Sequence, residues 1–568
     1  MSAASDKNAA LLARAIEVCS SREQWSAFSE SPSTKIHGEE APGRGKAAFE
    51  AHLNKPFELD QPGSAGRLGG EISPYTMEPL GIDYPGVDPD AVCAAAVQAM
   101  RSWQAVDPDR RAMVCIEMLK SLEKRLFENA HATMHTAGQS FMMGFVGSGA
   151  NALDRGMEAV AYAYKAMTDI PRSALWSRQL GPHRVAFEKR YHFVPRGIAL
   201  VMCCATFPSW NAYPAIMANL ITGNPVVLKP HPNGILPMAI AVRDMRAVLA
   251  TNGFDPNLVT MAADTPERPV AGRFLERADV AIIDFTGSQR FGSWLEKNVR
   301  DKLLYTETSG VNSIVIESTS NLDGMVDSIA HSLCLFSAQM CTSPQNIHLG
   351  GAAIETDQGA IGADDLSAML VERIDRKVET PGQAAGLCGA LQSQASVDML
   401  DGLSRRAPEI GGVLREWGGY AHPDFPNART ATPLVIGTDN SAQDVLRTEH
   451  FGPASFIIRH RNADEALHRA ASTAHEHGAI ATHAYSNRHD FLDRAEQAFV
   501  EAGASVTFNM TGPIPLNYAA AYSDLHVTGL NPAGNACLTD LSFVCDRFRI
   551  VQCRWPEASR AADLQDGT

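Results

Sequence analysis

The chain has 568 residues, of which 45% are hydrophobic and 20% charged, and a formal net charge of −15. That length allows several domains of ~150 residues and a sizeable core, and the composition is that of a globular chain, not a disordered one. The acidic balance argues against a sequence-independent grip on nucleic acid or an anionic membrane surface, which both depend on clustered Lys and Arg.

The first residues, MSAASDKNAALLARAIEVCSSREQW, lack the basic start and apolar core of a secretory signal. A helix is expected around Ala9–Val18, then Ser-rich punctuation at Ser29–Ser33. From Glu40 to Val87 the Gly and Pro content (APGRG, QPGSAG, LGGE, YPGVD) favours turns and irregular chain lying on another surface. Residues 1–88 therefore read as an extension and wrap. Between Asp90 and Tyr164 apolar residues recur at three and four positions (Val92, Ala95, Ala96, Met100, Trp103; Met113, Ile116, Leu119, Leu122, Leu126), which predicts amphipathic helices.

The segment Arg184–Val194 is rich in β-formers and reads as a hairpin arm. The most apolar stretch, Ile198–Thr206, spans about nine residues against the ~20 a bilayer requires, so it is a buried strand. From there strands (Ile198–Cys203, Pro225–Leu228, Val259–Met261, Val280–Asp284) alternate with helices (Ala212–Leu220, Pro237–Leu249, Arg268–Arg277, Gln289–Val299), the signature of a doubly wound parallel sheet. A second series follows: Ser313–Ile316, a helix Asp323–Gln339, Gln345–Leu349, Leu366–Lys377, Thr432–Ile436, Ala454–Arg459 and Ala463–Ala471. Two α/β domains are expected. The alternation in Arg547–Trp555 suits an edge strand open to another subunit, or an ordinary internal strand.

Eleven cysteines without a Cys-x-x-Cys pair fit neither a disulfide framework nor a structural zinc site. No metal is expected, and a reducing, cytoplasmic setting fits best. One cysteine stands out. Cys341, in Phe336-Ser-Ala-Gln-Met-Cys-Thr-Ser-Pro-Gln345, follows Glu307, in Tyr305-Thr-Glu-Thr-Ser-Gly310, by 34 positions. A thiol and a carboxylate suit covalent catalysis, although either alone is more often a buried small hydrophobe or a solvated acid.

Four further segments occur in fixed order: Phe207-Pro-Ser-Trp-Asn211, Val227-Leu-Lys-Pro230, Phe285-Thr-Gly-Ser288 and Thr448-Glu-His-Phe-Gly-Pro453. Together with the Cys341 and Glu307 segments they resemble the aldehyde dehydrogenase superfamily. The resemblance implies two doubly wound α/β domains, one cofactor-binding (89–182 and 198–306) and one catalytic (307–520). It adds an oligomerisation hairpin at 183–197 and a C-terminal segment at 521–568 with an edge strand. A homodimer or homotetramer would follow.

It also implies the chemistry: Cys341 attacks an aldehyde to give a thiohemiacetal, hydride passes to a nicotinamide, and the resulting thioester is hydrolysed. Glu307 is the base for the deacylating water, and its presence disfavours relatives that release the acyl group to coenzyme A. Asn211 and the Cys341 N–H would form an oxyanion hole, each donor worth ~3 kcal/mol when well placed. For the cofactor, Thr286, Gly287 and Ser288 open a helix toward the pyrophosphate. Lys229 contacts the adenosine ribose and Glu449 the nicotinamide ribose, with Phe451 and Trp210 flanking the cleft. The helix expected before Cys341 would present the negative end of its dipole and not favour a thiolate. Backbone amides, bound cofactor or Glu307 remain as sources of activation.

Several positions depart from the family pattern. The glutamate of NAD-preferring relatives, three residues after the lysine, is Pro232 here, which tilts the expectation to NADP over NAD. Ser309 replaces a glycine beside Glu307, Ala338 replaces the glycine before Gln-x-Cys, and Ala521-Tyr-Ser-Asp-Leu-His526 stands where Pro-Phe-Gly-Gly is usual. These departures and the long extension resemble most the phenylacetic acid degradation PaaN-like branch, related to the dehydrogenase half of PaaZ-type ring-opening enzymes. A semialdehyde carried as a coenzyme A thioester would then be the substrate. The alternatives are a dehydrogenase for a free aliphatic or aromatic aldehyde, an acylating dehydrogenase, and a non-catalytic relative.

Overall fold

Alternating apolar strands and amphipathic helices build two parallel sheets in the computed structural model, which describes residues 3–439, 441–536 and 539–557. The ends of the expected extension and C-terminal segment, residues 1–2 and 558–568, lie outside the described residues. The first sheet has five parallel strands in the order Val259–Met261, Val226–Lys229, Ile198–Met202, Val280–Thr286, Leu303–Glu307. The second has seven: Gly412–Arg415, Leu434–Thr438, Ala454–Arg459, Asn346–Leu349, Ser313–Ile316, Ala481–Tyr485 and Ser505–Phe508, with only the first antiparallel to its neighbour. The α/β fold expected from the sequence is thus present, and each sheet is buried by helices on both faces. Among the described residues no helix is long and apolar enough to cross a membrane.

Three expectations are corrected. Irregular chain was expected across Glu40–Val87, but Ala41–Glu50 is a helix and Ser64–Leu68 pairs with Tyr84–Val87. Pro42 sits in the helix's first turn, where its missing N–H costs nothing, and Gly45 permits close packing: a Cβ there would lie 2.2 Å from the Cβ of Phe127. The same residues that signal turns in isolation here serve a helix start and a helix contact.

The arm begins earlier than Arg184, as Ser173–Leu180 pairs antiparallel with His183–Pro195. The expected edge strand, Phe548–Pro556, is the outer strand of that same three-stranded arm, pairing antiparallel with His183–Pro195. Its root is fixed by Arg547, fully buried, which donates to both Asp284 oxygens at 2.8 and 2.6 Å and stacks on Tyr305 and Phe543. Leaving either charge unpaired there would cost about 3–5 kcal/mol.

Finally, the helix expected to reach Gln339 stops at Cys334. Phe336, Ser337 and Ala338 follow in left-handed conformations (φ 51°, 48° and 49°). For non-glycine residues this costs about 1–2 kcal/mol each. It is held by Ser337 Oγ donating to the carbonyls of Cys388 and Ala431 and by Phe336 packing edge-on against Phe207. Periodicity could not reveal a left-handed turn made without glycine. The helix therefore ends seven positions before Cys341 and a left-handed turn separates the two, so the thiol is not the residue that follows the helix directly.

Candidate functional site

A cavity of about 1070 Å³ opens where the carboxyl ends of the five-stranded sheet face the seven-stranded one. This is the place where open parallel sheets receive ligands, and the volume lies at the top of the ~300–1,000 Å³ range of ligand pockets. All ten residues singled out in the sequence line it: Trp210, Asn211, Lys229, Thr286, Gly287, Ser288, Glu307, Cys341, Glu449 and Phe451. Residues up to 241 positions apart, from Trp210 to Phe451, are thereby brought to the lining of one cavity.

Each arrives by a local cause. The strand Val280–Thr286 ends at the cavity, and Ser288 then caps the helix Gln289–Asn298, its hydroxyl accepting from the Phe291 N–H. That leaves a helix N-terminus facing the cavity, suited to an anion. Gly287 must remain small, because a Cβ would fall 2.7 Å from the Phe285 ring. Lys229 ends the strand Val226–Lys229, and its ammonium pairs at 2.7 Å with Asp264, which follows Val259–Met261. Asn211 caps the helix Ala212–Ile221 and is buried, with its Oδ1 lacking a hydrogen-bond partner.

The thiol loop is clamped from beneath. Asn312 donates to the carbonyls of Cys341 (2.8 Å) and Ser343 (3.0 Å) and accepts from the N–H groups of Ile480 and Ala481. Gln345 joins this loop to the Glu449 segment, donating to the Thr448 carbonyl and accepting from the His450 N–H. Ser309, in place of the expected glycine, hydrogen-bonds the Glu449 carboxylate, yet burial still pushes that carboxyl up to about 7.

Around Cys341 the electrostatics favour a neutral thiol: burial, then the Glu307 carboxylate, hold its pKa well above the ordinary range. Glu307 ends the strand Leu303–Glu307 and is 1% exposed, with neither carboxylate oxygen hydrogen-bonded. A buried carboxylate left so is costly unless a ligand or water completes it. The nearest group is one the sequence reading passed over. His526 Nε2 lies 3.2 Å from Cys341 Sγ in hydrogen-bond geometry, and 3.2 Å from Glu307 Oε1 but off the line of a ring N–H. The three donor atoms fall within 4.8 Å of one another.

Asp264, Asn312, Gln345 and His526 are the residues missed. Asp264 had a usable signal, an acid just past the end of a parallel strand, and His526 belonged to the segment already noted as departing from the family pattern. Asn312 and Gln345 act on backbone groups and carry none.

The cavity fits a dinucleotide: a capped helix N-terminus, a glycine with no room for a side chain, a lysine and a buried carboxyl at two walls, and unpartnered polar atoms on Trp210, Asn211 and Glu307 aimed at one space. Residues 72–516 match the sequence profile described as the aldehyde dehydrogenase family. A 1-pyrroline-5-carboxylate dehydrogenase of Bacillus pumilus is 23% identical over 439 residues, 74% of this chain and 77% of its own. A benzaldehyde dehydrogenase of Bacillus subtilis is 23% identical over 434 residues, 74% of this chain and 82% of its own. Among solved structures, an NAD-dependent aldehyde dehydrogenase from Burkholderia multivorans superposes with a TM-score of 0.95 at 42% identity, covering 98% of this chain and 99% of that one.

Proposed function

From the premise that this chain belongs to the aldehyde dehydrogenase family, and is an oxidoreductase of NAD(P), we propose that it oxidises a free apolar or aromatic aldehyde to the acid through Cys341. The observation that carries this reading is that Cys341, Glu307 and Asn211 line one cavity large enough to take a dinucleotide. Cys341 Sγ forms the C–S bond, and Asn211 with the Cys341 N–H receives the charge that develops on oxygen. When bound, the nicotinamide supplies the hydride acceptor. Glu307, unpartnered and buried, takes a proton from the water that cleaves the thioester. Lys229, Ser288, Glu449 and Phe451 position the cofactor, with Trp210 beside it. In this reading the sheet of residues 198–307 is the cofactor unit and the seven-stranded sheet the catalytic one.

Two finer points follow from the walls. The phenylacetate-type branch has no counterpart among the relatives above. On the substrate side, Met142, Met143, Val146, Phe207 and Tyr518 make an apolar mouth to which the described residues bring no Lys or Arg for an anionic tail. That favours a free aldehyde over a coenzyme A thioester. For the cofactor, Asp264 supplies beside Lys229 the carboxylate that Pro232 lacks, and among the described residues no arginine lines the cavity. A 2′-phosphate would meet repulsion without a clamp, so NAD is the preferred partner. The arm carries exposed Leu175, Trp176, Ile550 and Trp555, a face suited to a second copy in a dimer or tetramer.

The test is a substrate panel with either nucleotide, read by absorbance of the reduced cofactor. Benzaldehyde-like and medium-chain aldehydes with NAD should give the highest kcat/KM. Turnover confined to semialdehyde thioesters would restore the branch reading, and no turnover of any aldehyde would end both.

A further inference from the structure

The proposed chemistry leaves one difficulty: burial and a neighbouring carboxylate hold the thiol neutral, while the reaction needs its thiolate. We propose that His526 is the proton acceptor for Cys341, with Glu307 alongside to stabilise the imidazolium, so that thiol, imidazole and carboxylate act as a unit. This deepens the dehydrogenase reading and rests on it.

Three observations place His526 in that role. Its Nε2 is 3.2 Å from Sγ, within proton-transfer reach, and the same nitrogen is 3.2 Å from Glu307 Oε1. The ring is 4% exposed and held edge-on to Trp210 at 5.7 Å, which in turn lies under the guanidinium of Arg155. The loop that carries it is anchored on a buried network: Tyr522 hydroxyl to Asp154 at 2.9 Å, Arg155 to the Asp524 carbonyl, and Arg22 to the Tyr522 carbonyl. The N-terminal extension closes that network, since Ala27 N–H and Ser26 hydroxyl both donate to Asp154 and Trp25 packs on Tyr522. An unneeded histidine would not require such support.

The step balances simply. The S–H bond breaks as the Nε2–H bond forms; the sulfur pair makes the C–S bond and the carbonyl π pair moves to oxygen. Nothing is oxidised in it, and the proton stays on the ring beside the Glu307 carboxylate. The titratable groups facing this pair are Glu307, Glu449 and Cys204, all of which oppose a thiolate. His526 is therefore the group whose removal should be felt most.

The experiment is alkylation of Cys341 by iodoacetamide against pH, in cofactor-free enzyme containing EDTA, with the Cys341 peptide resolved by mass spectrometry. In His526→Gln and His526→Ala the rate at pH 7 should fall about tenfold or more and its midpoint move up. The acylation burst should slow by about 10²-fold, and added imidazole should partly rescue His526→Ala. A profile unchanged in both variants, even with activity lost, would make His526 structural and overturn the proposal. Loss of wild-type activity in EDTA would do so too, by making the cluster a metal site. If the profile shifts while the wild type oxidises no aldehyde, the ion pair stands and the dehydrogenase reading fails instead.

Discussion

The two walls of the cavity are built in different ways. On the side proposed to hold the cofactor, Lys229, Asp264 and Ser288 sit at or just past the ends of parallel strands, and the sheet dictates where they point. On the side proposed to carry the catalysis, Cys341 follows a left-handed turn and His526 lies on irregular chain stitched to the rest by Tyr522 and Asp524. Regular elements place a side chain by their own geometry, whereas irregular chain must be held by contacts from elsewhere. Substitutions on the first wall should change which nucleotide binds and how well. On the second they should change the chemistry or the stability of the loop.

The largest effect belongs to the second wall. Cys341→Ala should cut turnover by at least about 10⁴-fold while nucleotide affinity, by calorimetry, stays within a factor of two or so, because in the proposed mechanism the thiol meets the acyl carbon and not the ribose. Retained turnover would remove Cys341 from the mechanism. On the first wall, Asp264→Asn should narrow the NAD over NADP ratio of kcat/KM by about tenfold, the ~1.4 kcal/mol of one relieved like-charge contact, with kcat for NAD little altered. An unchanged ratio would dismiss Asp264 as the discriminating group.

A last effect, on stability and not on turnover, lies behind the His526 loop. Burial pushes the Asp154 carboxyl up to about 7 from an ordinary 3.8. A raised acid stabilises the fold fully below its unfolded value, and this contribution is lost as pH rises through 7. Asp154→Asn keeps an acceptor for Tyr522 and has no charge to bury. Its melting temperature relative to wild type should therefore climb between about pH 4 and 7, and a flat difference would deny that Asp154 titrates there.

How much the sequence showed follows the same division. Strands such as Val259–Met261, Ser313–Ile316 and Ala454–Arg459 were legible to the residue, since apolar runs between helices have one solution in a doubly wound sheet. The site residues lining the cavity were legible through family motifs. What was hidden depended on long-range packing: the Ala41–Glu50 helix on Phe127, the turn at Phe336–Ala338 held by Cys388 and Ala431, and His526 delivered to Cys341 across 185 positions. Local pattern carries no information about a partner that far away.

The most direct test is Glu307→Gln mixed with a good aldehyde and NAD, followed by mass spectrometry of the quenched protein. One equivalent of acyl group should accumulate on the Cys341 peptide, with the amplitude of the burst of reduced cofactor preserved although it is reached more slowly, and steady-state turnover slowed by about 10²–10⁴-fold. A protein that stays unmodified at Cys341 while turning over at the wild-type rate would contradict the proposed mechanism.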